Sequence, residues 1–242
     1  MIRTGMILAA GYGTRMRPLT DHLAKPLLPV GRTTLLERTL SWMAAGGLSR
    51  VVLNLHHLPD QVRAYAEAVA PEGLELLFSH EEEILGSGGG IGKAATLFRG
   101  EHVLVVNGDV LFDLDPGPFF AAHVARDAAA TTLVIPAARE PSLATVTLDD
   151  EDRVTEITRE GAPQIQPGRR GIFSGIHLLA PALHRLLPGD RFASVVTEGY
   201  RPFMTEGRVF GHYVDAPWWD LGTPERYEAA VKEFLTGSLP PG

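Results

Sequence analysis

Short apolar runs recur along the chain and alternate with stretches of helical pattern. Runs rich in valine, leucine and isoleucine predict buried strands, because a parallel strand covered on both faces has no polar side. In the first half of the chain the predicted strands are Met6–Ala10, Val51–Leu55, Leu74–Phe78, Val103–Val106 and Thr131–Ile135. Since predicted helices fill the intervals, the pattern indicates an α/β fold with a mostly parallel central sheet flanked by helices.

Two of the predicted helices carry clear boundary signals. The first has Thr34 and Glu37 in capping-box spacing and is stopped by Gly46 and Gly47. The last begins at residues 223–225, where threonine is the N-cap and proline occupies the first turn. These boundaries are predicted from local chemistry alone.

The second half departs from strict alternation of strand and helix. Ala144–Leu148 and Arg153–Thr158 flank an acidic turn and predict a small β-hairpin, while Phe173–Leu179 and Val209–Val214 predict later strands. The composition is even and shows no internal repeat or linker, so we predict one domain over residues 1–242.

Composition and charge exclude several classes of function. The chain has 242 residues, 45% of them hydrophobic, which suffices for one compact core. Its 29 acidic and 22 basic residues give a net charge of -7, which disfavours a nucleic-acid partner. The absence of cysteine excludes disulfides and thiolate metal sites and fits a cytoplasmic protein. No membrane association is expected, because the first apolar run is too short to span a bilayer. We expect a monomer or small homo-oligomer.

The loop after the first predicted strand combines bare backbone with fixed positive charge. Glycines such as Gly11 and Gly13 let amides approach an anion closely, and Arg15 and the nearby Lys25 can hold phosphate oxygens. Glycines also serve plain turn geometry, which is the alternative. A dinucleotide fingerprint is disfavoured because Met16 stands where a small residue is needed, and a P-loop is excluded by the position of the lysine.

A second glycine-rich segment, Gly86–Lys93, contains three consecutive glycines at 88–90. We predict a flexible turn that opens onto a helix. Such a backbone can lie against a flat base or sugar while its amides read the edge of the ring. A mobile surface loop without a ligand is the alternative.

Two aspartates are candidate metal ligands. Asp109 follows a buried strand, and Asp220 stands between tryptophans and a capped helix. Magnesium accepts one or two carboxylates together with substrate phosphates, so these two side chains suffice for a site. The alternatives are that Asp109 caps the next helix and that Asp215 replaces Asp220. Trp218 and Trp219 are interpreted as packing residues, and stacking on a nucleotide base is the alternative.

Together these segments resemble the sugar-1-phosphate nucleotidyltransferase family, also called nucleotide-sugar pyrophosphorylases. The resemblance covers nearly the whole chain and rests on the opening MILAAGYGTRMRPLT with KPLLPV, followed by NGDV, FSGIHLL and WWDLGTPE. The segment LGSGGGIGKA is most similar to short bacterial members that act on N-acetylmuramate, heptose or mannose 1-phosphates. The resemblance implies a Rossmann-like (GT-A type) fold and magnesium-dependent transfer of a nucleotidyl group to a sugar 1-phosphate. Uridine with an N-acetylated sugar is the first expectation, and guanosine with mannose or heptose is the second.

The resemblance also implies roles for individual residues. Arg15, Lys25, Asp109 and Asp220 would be catalytic, and the two aspartates would hold the Mg²⁺ ion. Nucleotide contacts are implied for Ala10, Gly11, Gly13, Thr14, Arg15, Lys25, Gly86, Gly88 and Gly89, and sugar-phosphate contacts for Asn107, Glu160 and Gly175. Residues 1–130 would mainly bind nucleotide and residues 131–222 mainly the sugar phosphate, and residues 223–242 would form a C-terminal helix and tail.

One departure from the family pattern concerns the sugar phosphate. Larger relatives carry a Glu-Lys-Pro element after the hairpin, whereas this chain reads Ile-Thr-Arg-Glu-Gly at 157–161. Arg159, Arg169 or Arg170 can supply the missing charge, and the sequence does not choose among them.

Two other functions stay open at this point. Asp113 and Asp115 form the D-x-D spacing with which glycosyltransferases hold a metal and a nucleotide-sugar, although the pair also fits helix capping. A non-catalytic nucleotide-sensing subunit is the second alternative. The neighbouring His56 and His57 are interpreted as a loop feature and not as a metal site.

Overall fold

The computed structural model describes residues 2–137, 143–158 and 167–236. Their strands are β1 Thr4–Leu8, β2 Pro29–Val30, β3 Thr33–Thr34, β4 Arg50–Leu55, β5 Glu75–His80, β6 Val103–Asn107, β7 Val110–Phe112, β8 Ala130–Pro136, β9 Thr145–Leu148, β10 Val154–Thr158, β11 Arg169–Leu179, β12 Val209–Tyr213 and β13 Trp218–Asp220. The α-helices are α1 Leu35–Ala45, α2 Pro59–Val69, α3 Gly86–Ala94, α4 Pro116–Ala125, α5 Pro181–His184, α6 Arg201–Thr205 and α7 Pro224–Thr236. The predicted α/β class is confirmed.

The main sheet has a parallel part whose strands end at one edge. Its strand order is β6, β1, β4 and β5, all parallel to one another. Leu8 at the end of β1 stands opposite both Asn54 of β4 and Asn107 of β6. Because carboxyl ends of neighbouring strands meet here, the loops that follow β1, β4, β5 and β6 converge on one side of the sheet.

β11 joins this parallel part to the antiparallel remainder of the sheet. It runs antiparallel to β6 through residues 176–179 and to β9 through residues 169–172. On the opposite side, β11 pairs antiparallel with β8, and β8 pairs in parallel with β12. The change of partner coincides with Gly175, whose φ of 75° is in the left-handed region that favours glycine. The strand is longer than the predicted Phe173–Leu179, because the hairpin strand β9 extends its pairing.

The two faces of the sheet bury different side chains. Ile7 and Val106 belong to a core cluster with residues of α1, α2 and α4. Their sequence neighbours Met6 and Val105 belong to a second cluster with residues of α3 and α5. Alternation with a period of two is what a strand covered on both faces requires. Within the described ranges, the helices are all too short or too polar to cross a membrane.

The local boundary predictions are largely confirmed. The Thr34 hydroxyl accepts a hydrogen bond from the amide of Glu37 at 3.1 Å, and α1 ends before Gly46. The acidic turn between β9 and β10 is closed by Asp149, whose carboxylate accepts from the amide of Arg153 at 2.7 Å. The first strand is two residues earlier than predicted, because the amide of Ala9 leaves the ladder and donates to the side chain of Asn54.

The interpretation of Gly86–Lys93 as a flexible turn is wrong. This segment is helix α3, and four of its glycines, at 86, 88, 89 and 92, make room for the chain at 188–195. A Cβ on Gly92 would lie 2.2 Å from the carbonyl oxygen of Pro188, and one on Gly89 would lie 2.4 Å from that of Arg191. Close backbone packing therefore explains glycine at these positions.

Candidate active site

The loop after β1 is shaped by a few fixed contacts. Gly13 has a φ of 63° and precedes a short 3₁₀ turn at 14–16. The Thr20 hydroxyl donates to the Gly13 carbonyl oxygen at 2.7 Å, and Met16 is fully buried beneath the loop. Arg15, between these anchors, is exposed. A firmly held backbone thus presents an exposed guanidinium at the edge of the sheet.

Three adjoining cavities surround this edge. The first, of about 240 Å³, is lined by Leu8, Ala10, Gly11, Asn54, Glu81, Ile84, Gly86, Ser87 and Asn107. A smaller one of about 60 Å³ contains Lys25 and Asp109, and a third of about 190 Å³ contains Arg15 and Asp220. Gly11 borders the first two, and Asn107 borders the first and third. Most of the predicted site residues are therefore brought to one region. A larger cavity of about 370 Å³ between α1 and β7 contains none of them.

Asp109 is held at the corner between β6 and β7 by a short ion pair. The amide of Gly108 donates to the carbonyl oxygen of Leu8 at 3.0 Å, which fixes this corner against β1. The Lys25 ammonium lies 2.7 Å from the Asp109 carboxylate, and their side chains are 11% and 27% exposed. Asp109 does not cap the next helix, because α4 is capped by Asp115, which accepts from the Gly117 amide at 2.9 Å.

Asp220 lies beside Asp109 because β13 pairs with β7. Asp220 stands opposite Val110, and the amide of Leu221 donates to the carbonyl oxygen of Asp109 at 2.9 Å. The Asp220 carboxylate accepts from Arg226 at 2.9 Å and from the Gly222 amide at 3.0 Å. The two aspartates are thus on the same side of the molecule, because the residue opposite Asp220 is the one that follows Asp109.

The tryptophans beside Asp220 have defined packing contacts. The Trp218 indole donates to the carbonyl oxygen of Ser174 at 3.0 Å and is buried. The Trp219 indole donates to Glu233 at 2.9 Å and packs edge-on against Phe234. These contacts tie β13 to β11 and to α7, so both side chains support the strand that carries Asp220.

Asn107 and Gly175, predicted near the sugar, are in direct contact. A Cβ on Gly175 would lie 2.5 Å from the side-chain amide nitrogen of Asn107, so glycine leaves room for this side chain. Glu160 and Arg159 lie outside the described residues. Arg169 pairs with Asp152 and stacks on Tyr213 at 4.6 Å, and Arg170 donates to Thr145 at 2.8 Å.

Gly86, Gly88 and Gly89 differ in their relation to the first cavity. Gly86 lines it together with Ser87. The amides of Gly88 and Gly89 instead donate to the carbonyl oxygen of Ala193, at 2.8 and 3.4 Å, and both glycines are buried. In this structure those two amides are engaged within the protein, contrary to the expectation that they read the edge of a base.

Comparison with known proteins decides the family. The family model described as nucleotidyl transferase matches residues 4–237. The chain belongs to the nucleotidyl transferase family.

Relatives of this nucleotidyl transferase act on different bases and sugars. It is 31% identical to mannose-1-phosphate guanylyltransferase of Mycobacterium tuberculosis, over 97% of this chain and 65% of the relative. It is 28% identical to UTP–glucose-1-phosphate uridylyltransferase of Synechocystis sp., over 97% of this chain and 64% of the relative. The chain thus spans just under two thirds of the length of these relatives.

Two solved structures illustrate the likeness of fold. HddC of Yersinia pseudotuberculosis gives a TM-score of 0.80 on its own and 0.78 in complex with GMP-PN, both at 25% identity and covering 96% of this chain and 100% of that one. A UDP-glucose pyrophosphorylase in complex with UDP-glucose gives a TM-score of 0.84 at 17% identity, covering 98% of this chain and 100% of that one, a likeness of fold alone.

Sequence reasoning missed Asn54 and Glu81, which line the first cavity of this nucleotidyl transferase. The side chain of Asn54 accepts from the Ala9 amide at 2.8 Å and donates to Glu81 at 2.7 Å. The ring of His56 lies 2.7 Å from the Tyr12 hydroxyl and 2.8 Å from the Glu81 carbonyl oxygen. His56 therefore holds the loop, as its interpretation as a loop feature predicts. The available signal for this part of the cavity was Asn54 itself, a polar residue near the end of an otherwise apolar strand.

Proposed function

We propose that this chain transfers a nucleotidyl group from a nucleoside triphosphate to a sugar 1-phosphate and releases pyrophosphate. One observation carries the proposal. The edge of the parallel sheet brings the glycine loop, Arg15, Lys25 and two aspartates to adjoining cavities. A site for two polyanions needs cationic groups and open backbone, and both are present here.

The triphosphate is assigned to the loop after β1. The position that a Cβ would take on Gly11 has no atom within 4 Å, so the backbone can be approached closely there. Arg15 is exposed beside it and can grip phosphate oxygens in a bidentate manner. We therefore propose residues 10–15 and Lys25 as nucleotide contacts, with Gly86 at the opposite wall.

The sugar phosphate is assigned mainly to the second half of the chain. The third cavity is lined by Leu143, Ala144, Phe173, Ser174, Trp218 and Asp220 in addition to Arg15, Asn107 and Val110. This supports the proposed division into residues 1–130 for the nucleotide and 131–222 for the sugar phosphate. Asn107 and Gly175 are proposed near the sugar, and Glu160 is retained as a sequence-based proposal.

Magnesium fits the acidic pair of the site. Asp109, at the corner before β7, and Asp220, at the end of β13, supply hard oxygen ligands. The Asp109 carboxylate pairs with Lys25, and the Asp220 carboxylate pairs with Arg226. Two carboxylates plus phosphate oxygens are a typical magnesium ligand set. When bound, the ion would neutralise phosphate charge and polarise the phosphoryl group that is transferred.

The side chains themselves would lower the repulsion between the two substrates. Arg15 and Lys25 place positive charge where the phosphates of both must meet. An oxygen of the sugar phosphate then forms a bond to the α-phosphorus, while the bond from that phosphorus to the departing pyrophosphate breaks and the pyrophosphate keeps the electron pair. The attacking oxygen is already ionised, so positioning and electrostatics suffice and no general base is required.

The geometry disfavours a glycosyltransferase site built on Asp113 and Asp115. Asp115 caps α4, and Asp113 lines the separate cavity between α1 and β7. Neither aspartate lines the cavities at the sheet edge that contain Arg15 and Lys25. The nucleotide-sensing alternative shares the proposed site, so turnover must distinguish it.

The names of the relatives suggest which base and sugar the chain uses. The names of the two relatives above pair guanosine with mannose and uridine with glucose. The proposed nucleotide is therefore UTP or GTP, and glucose 1-phosphate joins mannose, heptose and N-acetylated sugar 1-phosphates among the candidate acceptors.

A substrate matrix tests this proposal. The protein with magnesium is incubated with each of the four common triphosphates and a panel of sugar 1-phosphates, and pyrophosphate release is measured. We expect release only with a matching pair, and none after chelation of the metal. Consumption of a preformed nucleotide-sugar with an acceptor would support a glycosyltransferase, and tight nucleotide binding without turnover would support a sensor.

A further inference from the structure

The first turn of α7 places an arginine beside one of the two candidate metal ligands. Thr223 precedes the helix, and its hydroxyl accepts a hydrogen bond from the Arg226 amide at 3.4 Å. Although Arg226 follows Asp220 by six positions, its guanidinium Nη1 lies 2.9 Å from the Asp220 carboxylate. The two side chains are 21% and 19% exposed, so water screens this ion pair only in part.

Two donors converge on one oxygen of that carboxylate. Oδ1 of Asp220 accepts from Arg226 at 2.9 Å and from the Gly222 amide at 3.0 Å. A Cβ on Gly222 would lie 2.6 Å from Oδ1, so glycine is what allows the chain to fold this closely over the carboxylate. Among the residues that the structure describes, none donates a hydrogen bond to Oδ2. Asp220 is therefore anchored through one oxygen and keeps the other for a ligand, at the wall of the third cavity.

The helix that carries Arg226 is docked at both of its ends. In its first turn, the Tyr227 hydroxyl donates to the Pro29 carbonyl oxygen at 2.7 Å. In its last turn, Phe234 packs edge-on against Trp219 and lies 4.3 Å beneath the guanidinium of Arg38. Because α7 is held in this way, the guanidinium of its first turn approaches the carboxylate from a rigid base.

We propose that Arg226 is a positioning residue of the metal site, which holds Oδ1 of Asp220 so that Oδ2 is presented to the divalent cation. This inference rests on the proposed function, because the cation is the one assigned there to Asp109 and Asp220. Carboxylates that bind metals are oriented by hydrogen bonds from surrounding groups, and loss of such a group costs about tenfold to a hundredfold in metal affinity or activity. The C-terminal helix is thereby part of the active site.

A guanidinium that only neutralised Asp220 would have the opposite effect on the metal. It would compete with the cation for the carboxylate, so its removal would tighten metal binding. The hydrogen-bond pattern favours positioning, because Arg226 contacts the oxygen that the Gly222 amide also anchors. A cation on Oδ2 does not have to displace it. The two roles therefore predict changes of opposite sign in metal affinity.

Binding of Mn²⁺ to the free protein, followed by electron paramagnetic resonance, measures that sign without substrates or turnover. The titration compares the wild-type protein with Arg226→Gln and with Lys232→Gln, which removes the same charge from an exposed position of the same helix. The dissociation constant for Mn²⁺ should rise about tenfold to a hundredfold in Arg226→Gln and keep its wild-type value in the control. Unchanged or tighter binding by folded Arg226→Gln would overturn the inference. If thermal unfolding shows that Arg226→Gln is not folded, Arg226→Met is titrated in its place with the same expectation.

A double variant shows whether the arginine acts through the aspartate. Once the carboxylate is gone there is nothing to position, so Arg226→Gln should have no further effect on Mn²⁺ binding in the Asp220→Asn background. Equal losses in the two backgrounds would assign the effect to general damage and contradict the inference.

Pyrophosphate release separates this inference from the proposed function. With a productive pair of substrates, the Mg²⁺ concentration for half-maximal release should rise in Arg226→Gln, whereas the KM for the sugar 1-phosphate at saturating Mg²⁺ should keep its wild-type value. Equal Mn²⁺ constants for wild type and variant would refute the positioning role alone. A wild-type protein that binds Mn²⁺ but turns over no pair would contradict the proposed function instead.

Discussion

The substitution Gly11→Ala separates the demands of folding from those of phosphate binding. The φ of Gly11 is not in the left-handed region, so alanine can adopt the same backbone. An added Cβ would have no atom within 4 Å. The methyl group would thus meet no protein, but it would occupy the space between two of the cavities at the sheet edge.

Gly11→Ala should raise the stability of the protein and lower its kcat/KM. Replacing glycine by alanine at a compatible position stabilises a protein by about 0.4–1 kcal/mol, because the unfolded chain loses freedom. For a chain of this size that raises the melting temperature by up to about 2–4 °C. Loss of one amide contact to a charged phosphate costs about 1.5–3 kcal/mol, and kcat/KM should therefore fall roughly tenfold to a hundredfold.

The assay combines thermal unfolding with initial rates of pyrophosphate release at several triphosphate concentrations. Gly92→Ala is the comparison, because its Cβ would lie 2.2 Å from the Pro188 carbonyl oxygen and cannot be accommodated without movement. That variant should lose about 1–3 kcal/mol of stability. If folded Gly11→Ala retained full kcat/KM, the loop backbone would not be the phosphate cradle.

The other predictions concern charge. Asp109→Asn should reduce kcat about a hundredfold or more while circular dichroism stays unchanged, because a metal ligand is lost, and full activity would contradict the metal assignment. Arg15→Ala should raise the KM for the triphosphate about tenfold with a smaller effect on kcat, and an effect confined to the sugar phosphate would reassign it. Burial lowers the pKa of His123 to about 4 and that of His177 to about 3. Since the unfolded chain takes up these protons below about pH 6.5, stability present above that pH is lost as the pH falls towards 4. The melting temperature should drop between about pH 7 and about pH 5, and less steeply in His123→Gln. Equal slopes would rule out His123 as a cause.

Much of the fold follows from patterns that are local in sequence. The buried runs, the Thr34 cap and the acidic hairpin turn each depend on neighbours a few residues away, and the structure has them where expected. What failed was α3, where glycine content suggested a flexible turn. Four of these glycines, at 86, 88, 89 and 92, are required by the segment 188–195, about a hundred residues further along the chain, and no local rule reports such a contact.

Part of the candidate site was accessible for a similar reason. Residues that terminate strands of a parallel sheet meet at one edge, so Asp109 and the loop after β1 could be placed together before their contacts were known. Asp220 was less accessible, because its position beside Asp109 depends on the pairing of two three-residue strands, β7 and β13. Strands that short carry almost no pattern of their own.

The segment Glu81–Glu83 shows where sequence reasoning must stop. Three consecutive glutamates are normally a solvated acidic run, and nothing in their spacing distinguishes one from another. The structure separates them. Glu81 is buried against Asn54 and the Leu85 amide, whereas Glu82 and Glu83 are exposed. The distinction arises because Asn54, on the neighbouring strand, is oriented by the Ala9 amide at the start of the glycine loop. One hydrogen-bonded path therefore connects the loop proposed for the phosphates to the buried Glu81 carboxylate in the wall of the first cavity, and substitutions at Asn54 should disturb both.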